Sequence, residues 1–160
     1  MLGEAVAEAR GEIKDPEPVE LTINLPADFY LPEEYLTDVD RRVMAYRRLA
    51  AASELVDIDL LERELEEGYG ALPAAGKNLL DRARIRIRAG RLGVTAVSLA
   101  SGRIVYLGLD VPKEKAFKLK EKGAIVYPKT HKLSYPYRSG GEDLIAAALG
   151  VLEELGGDDE

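Results

Sequence analysis

The chain has 160 residues, 46% of them hydrophobic and 32% charged, with a net charge of −7; this suits one domain with a real core. There is no run of about 18 apolar residues, so no membrane span is expected, and the acidic N-terminal residues lack the basic stretch that opens a signal peptide. The absence of cysteine excludes disulfides, thiolate nucleophiles and Cys-ligated zinc, and a single histidine, His131, leaves no His–His metal pair.

Residues 1–10 read as a short helix with Leu2, Val6 and Ala9 on one side. It opens without a cap, as if cut inside a longer helix, and so short a helix is marginal alone. Residues 11–18 are Gly, Pro and charge, a linker. Val19, Leu21, Ile23 and Leu25 alternate with polar residues, which predicts a half-buried strand ended by Pro26. The next segment, with two prolines, is expected to be extended and packed by Phe29, Tyr30, Tyr35 and Leu36. Thr37 and Asp40 resemble a capping box for a helix to about Ala52, with Val39, Val43, Tyr46 and Ala50 as its apolar stripe. Asp57 is the expected cap of a second helix, roughly 58–68, with Ile58, Leu61, Leu65 and Tyr69 on its core face and Gly68 and Gly70 as its stop.

Pro73 fits the first turn of a third helix ending at Leu92, with Gly93 as its C-cap. Leu79, Leu80, Ala83, Ile87 and Gly90 make one apolar face and Ile85, Ala89 and Leu92 a second, nearly opposite. A helix with two apolar faces is sandwiched between other elements, so this one is expected to be the most buried of the chain. Two β-branched runs joined by Ser101-Gly102 predict a hairpin. A helix then opens at Pro112 with Ala116, Phe117 and Leu119, followed by two short strands, AIVYP and KLSYPY, the latter held to a sheet edge by Pro136. Ser139 and Glu142 resemble a capping box for a last helix, roughly 140–155, and residues 156–160 are expected to be a disordered tail. The succession implies an α+β fold with a small, mainly antiparallel sheet packed with several helices.

Charge is unevenly distributed. Residues 1–76 carry a balance of −11, residues 77–138 of +11 and residues 139–160 of −7. Such asymmetry points to an electrostatic partner outside the chain or within it. The third helix bears a basic stripe, Lys77, Arg84, Arg88 and Arg91, which can bind phosphates, an acidic partner, or the chain's own acidic half. Basic and aromatic residues interleave at Tyr127, Lys129, Lys132, Tyr135, Tyr137 and Arg138, a composition suited to nucleic acid; the tyrosines also suit the core of a strand pair. A nucleic-acid module built on Arg84, Arg88, Arg91 and this loop is therefore the alternative function.

No phosphate-cradling loop and no metalloprotease or hydrolase motif occurs, and nothing calls for a cofactor. The carboxylates Asp57, Asp59, Glu62, Glu64, Glu66 and Glu67 admit an acid/base or cation site, the only basis for reading a small enzyme, but read more simply as a solvated helix face. On the second helix, Leu60, Glu64 and Glu67 lie opposite the core face. A leucine flanked by carboxylates there suits a docking patch for a basic partner. His131 reads as a surface residue without an orienting partner.

The segments MLGEAV, VELTINLPADFYLPEEYLTD, RRVMAYRRLA and ELEEGYGALPAAGKNLLDRARIRIRAGRLGV, in that order up to about residue 110, resemble the C-terminal domain of the bacterial transcription-repair coupling factor (Mfd) family. The resemblance implies a parent protein that is an ATP-dependent double-stranded DNA translocase of the cytoplasm, acting on stalled RNA polymerase and recruiting UvrA. It implies that this domain is not catalytic, and that it docks on the UvrB-like module of the same chain and masks the UvrA-binding surface. The family's EL-x-D-R-F-G motif falls on Glu64, Glu67 and Gly68: the glutamate is kept, Glu67 stands for the aspartate, and Gly68 replaces the arginine. The resemblance also divides the chain into a helix and linker of the preceding domain at 1–18, the regulatory domain at 19–155, and the tail.

Overall fold

The computed structural model describes residues 21–138 and 143–156. These form β1 (Thr22–Asn24), α1 (Val39–Ala51), α2 (Leu55–Tyr69), α3 (Ala74–Leu92), β2 (Ala96–Ala100), β3 (Arg103–Leu107), α4 (Lys113–Glu121), β4 (Ile125–Tyr127), a 3-10 turn (Pro128–Thr130), β5 (Lys132–Pro136) and α5 (Leu144–Gly156). The order and the α+β class are those expected. The five strands make one sheet in the order β1-β2-β3-β5-β4. Only β1–β2 is parallel.

The register explains how the sheet buries a face. Ile23 pairs with Val97, Val97 with Tyr106, Tyr106 with Leu133 and Leu133 with Val126, so one apolar row crosses all five strands. The hairpin turn at Ser101 (φ 52°) and Gly102 (φ 74°) sets that register. At the other end of the hairpin a Cβ on Gly108 (φ 87°) would lie 2.8 Å from Gly93 O, so backbone meets backbone there.

The core has two parts with α3 as their common wall. Ile85 and Ala89 belong to the cluster formed with the sheet and α5. Leu80, Ala83 and Ile87 belong to a second cluster with Leu31, Leu36, α1 and α2. The two apolar faces of α3 are thus both used, although Gly90, assigned to the first, is exposed. The last helix is nevertheless the more buried element: α5 buries seven of its 13 residues, where α3 buries seven of 19. Tyr106 reaches α5 from the sheet, its hydroxyl donating to Ala148 O at 2.8 Å. Lys115 of α4 donates to Leu155 O at 2.6 Å and so closes the C-terminal end of α5, which has no basic residue in its own last turn.

Several local expectations are corrected. Asp38, not Thr37, caps α1: its carboxylate accepts from the N–H groups of Asp40 and Arg41. The α1 stripe is out of phase, since Ala45 and Leu49 are buried while Val39, Val43, Tyr46 and Ala50 are exposed. Tyr46 serves through its hydroxyl, accepting from Leu31 N–H at 2.8 Å. Tyr30 is exposed and Leu31 takes its place inside. In α2, Asp57 sits in the first turn and accepts from the N–H of Glu54, the true N-cap, at 3.2 Å; Gly68 lies within the helix, and Gly70 ends it. β5 is not an edge strand. Pro136 is tolerated because it lies past the end of the three-residue β4, so its missing N–H falls outside the β4–β5 ladder. Asp143 caps α5, accepting from Ile145 and Ala146 N–H, and Gly156 closes that helix rather than beginning the tail. The readings of residues 1–20, of Ser139–Glu142 and of residues 157–160 fall outside the described residues.

Candidate docking face on the second helix

Helix α2 turns Ile58, Leu61 and Leu65 into the core. Its spacing therefore drives Leu60, Glu64 and Glu67 outward. Leu60 is 42% exposed, and Glu64, Glu67 and Gly68 are exposed. Tyr69, expected inside, is exposed, and its ring lies 5.9 Å from that of Tyr35. Tyr35 in turn donates to Leu65 O and Gly70 O, tying down the end of α2.

Glu64 has a partner within the chain. Arg48, in the last turn of α1, grips both carboxylate oxygens, Nη1–Oε1 at 2.6 Å and Nη2–Oε2 at 3.3 Å. That hydrogen-bonded guanidinium holds the Glu64 carboxyl below the usual carboxylate range. Glu67 has no ion pair among the described residues. A groove of about 260 Å³ runs between α1 and α2, with Met44, Arg48, Glu64, Gly68 and Tyr69 on its walls. A Cβ at Gly68 would meet nothing within 4 Å, so glycine there removes side-chain contact without being required by space. Arg48 is the residue that sequence reasoning missed; the signal was a basic side chain in the last turn of a helix preceding an acidic one.

The basic stripe is largely satisfied by the acidic half of the chain. Arg84, only 12% exposed, donates to Asp59 and Asp81 at 2.8 Å each and to Glu62. Burial pulls the Arg84 pKa down, but these carboxylates outweigh it and leave the pKa raised. Lys77 lies 3.5 Å from Asp81 and 4.0 Å from Glu62, and Arg91 pairs with Glu54 at 3.2 Å. Arg88 turns toward the C-terminal end of α5, its Nη1 3.4 Å from where a Cβ on Gly156 would sit. The expected carboxylate cluster is thereby dispersed: Asp59 and Glu62 serve Arg84, and Glu64 serves Arg48. Among the described residues no three Asp, Glu, His or Cys side chains are placed to hold a metal ion.

The 127–138 segment divides between core and surface. Tyr135 and Tyr137 pack on the sheet cluster, whereas Tyr127 is exposed with the Lys132 ammonium over its ring, 4.6 Å from the centre. His131 is exposed but not alone, since its Nδ1 bonds the Asp110 carboxylate. No helix among the described residues is long and apolar enough to cross a membrane.

A family model for the TRCF domain matches residues 25–119. The chain belongs to the TRCF domain family. Transcription-repair-coupling factors are among its relatives. That of Mycobacterium bovis is 37% identical over 116 residues, 72% of this chain and 9% of that protein. That of Myxococcus xanthus is 30% identical over 164 residues, 97% of this chain and 13% of that protein. The chain thus spans about a tenth of the length of these relatives. In fold it is similar to the crystal structure of a C-terminal domain of transcription-repair coupling factor, with a TM-score of 0.68 at 18% identity, covering 86% of this chain and 93% of that one. The TRCF match takes in α1, α2 and α3, the elements that build both the candidate face and the Arg84 network.

Proposed function

We propose that this TRCF domain is a non-catalytic regulatory piece of a DNA-translocating repair factor. It docks through the outer face of α2 on the UvrB-like module of its parent chain and masks the surface that UvrA binds. The observation that carries this reading is the state of Glu64: an exposed carboxylate, oriented by Arg48, on a face that also presents Leu60 and Glu67, which has no ion pair among the described residues. A carboxylate held in place and kept ionised is ready for an arginine on a partner, and loss of one member of such an interfacial pair costs about 2–5 kcal/mol.

Chemistry in this fragment has no support from the site. Of the carboxylates that could do acid/base work, Asp59, Glu62 and Glu64 are engaged as ion-pair partners. The test is the double change Glu64→Lys and Glu67→Lys in the full-length parent. The isolated domain should melt nearly as before, because exposed pairs contribute only about 0–1 kcal/mol, while UvrA binding by the parent rises. A variant that melts normally and leaves UvrA binding at the parental level rejects this face as the clamp.

A further inference from the structure

We propose that the edge of β1 left open by the described residues and the cleft beside it form a second docking site, for an extended segment of another protein in which an aliphatic residue is followed two positions on by a carboxylate. The site is separate from the α2 face and does not rest on the masking role.

β1 stands at the end of the sheet order. Thr22 donates its N–H to Thr95 O at 3.0 Å. In a ladder, alternate residues turn their backbone groups to the same neighbour. Thr22 and Asn24 therefore engage β2, and the N–H and C=O of Ile23 face the open side. An edge of this kind is a template for one more strand.

The side chains of an added strand would alternate as those of β1 do. Those on the inner side would fall beside Ile23, where the structure has a cleft of about 230 Å³. Its apolar wall includes Ile23, Leu49, Leu79 and Ala83, and its charges are Arg82 and Arg86. Arg86 is committed to the fold, donating to Leu49 O and Ala52 O at the end of α1. Arg82 is exposed and has no carboxylate among the described residues; its guanidinium rests on the Phe29 ring, 5.2 Å from the centre. An aliphatic side chain fits the wall, and a carboxylate two positions along the strand, on the same side of it, meets the one cation left open. A nucleic-acid strand, with a charge at every step, would find one open arginine and an apolar floor.

The test uses the 160-residue chain with a labelled extended peptide in which Val and Glu take turns at every second position, with Thr between them, and its Lys-for-Glu counterpart. The acidic peptide is expected to bind saturably, and to slow hydrogen exchange at the Ile23 amide. Arg82→Glu should weaken it by about tenfold or more, while Lys113→Glu, on the exposed side of α4, leaves it unchanged. Equal binding of the lysine peptide, no saturable binding of the acidic one, or binding that leaves the Ile23 amide unprotected overturns the proposal. So does an Ile23 amide already protected in the free chain, which would assign the edge to the chain's own preceding residues.

Discussion

Arg84 and Arg48 hold carboxylates in the same way and matter differently, because water reaches one and hardly reaches the other. Arg84 sits with Asp81, whose side chain is 7% exposed. Arg84→Ala strands that carboxylate with only Lys77 beside it, and should cost about 3–5 kcal/mol in urea denaturation. Arg48→Ala, at an exposed pair, should cost about 0–1 kcal/mol in the same assay. Glu64 adds a pH signature. Its folded pKa is depressed by Arg48, so its contribution is fully present above the ordinary carboxylate value and is lost as pH falls through the depressed one. Glu64→Gln should therefore lower stability slightly at neutral pH and converge with the parent in acid, as read from urea midpoints across that range.

Among the elements, α3 decides whether the molecule has one core or two. Ile85 and Ile87 are buried on opposite sides of it, against different clusters. Ile85→Ala and Ile87→Ala should each cost about 2–5 kcal/mol. Because the wall is shared, each should shift a single transition rather than split it, whether followed by tyrosine absorbance or by helical signal. This helix was legible in the sequence because two separate runs at helical spacing leave few other solutions. The phase of α1 was not. Val39, Val43, Tyr46 and Ala50 form as regular a stripe as the true one, and close contact through Ala45 carries little hydrophobic signal. The outward placement of Leu60, Glu64 and Glu67 could be read from α2 alone, since it follows from the positions of Ile58, Leu61 and Leu65. Glu64's arginine could not, because it comes from another helix through tertiary packing. Likewise Pro136 signalled an edge correctly for its own position and wrongly for β5, because the neighbouring strand is shorter than the one it pairs with.

Across the whole molecule, part of the charge imbalance of the sequence is resolved by folding α3 against α2, where Lys77, Arg84 and Arg91 meet Glu54, Asp59 and Glu62. Salt should then separate two classes of contact. The Debye length falls to about 3 Å at 1 M, and exposed pairs are screened more than buried ones. Double-mutant cycles should show the Arg48–Glu64 coupling vanish at high salt and the Arg84–Asp81 coupling persist. The sheet carries a different consequence, one of time. Its hairpin closes over two residues, but its parallel pair joins residue 22 to residue 96 across all three helices between them. Pairings so distant in sequence form slowly, after local ones have narrowed the search. β1 would then be the last strand to arrive as the chain folds and, with three residues of ladder, the first to leave. For a period in each molecule's birth, β2 is itself the exposed rim of a nascent sheet.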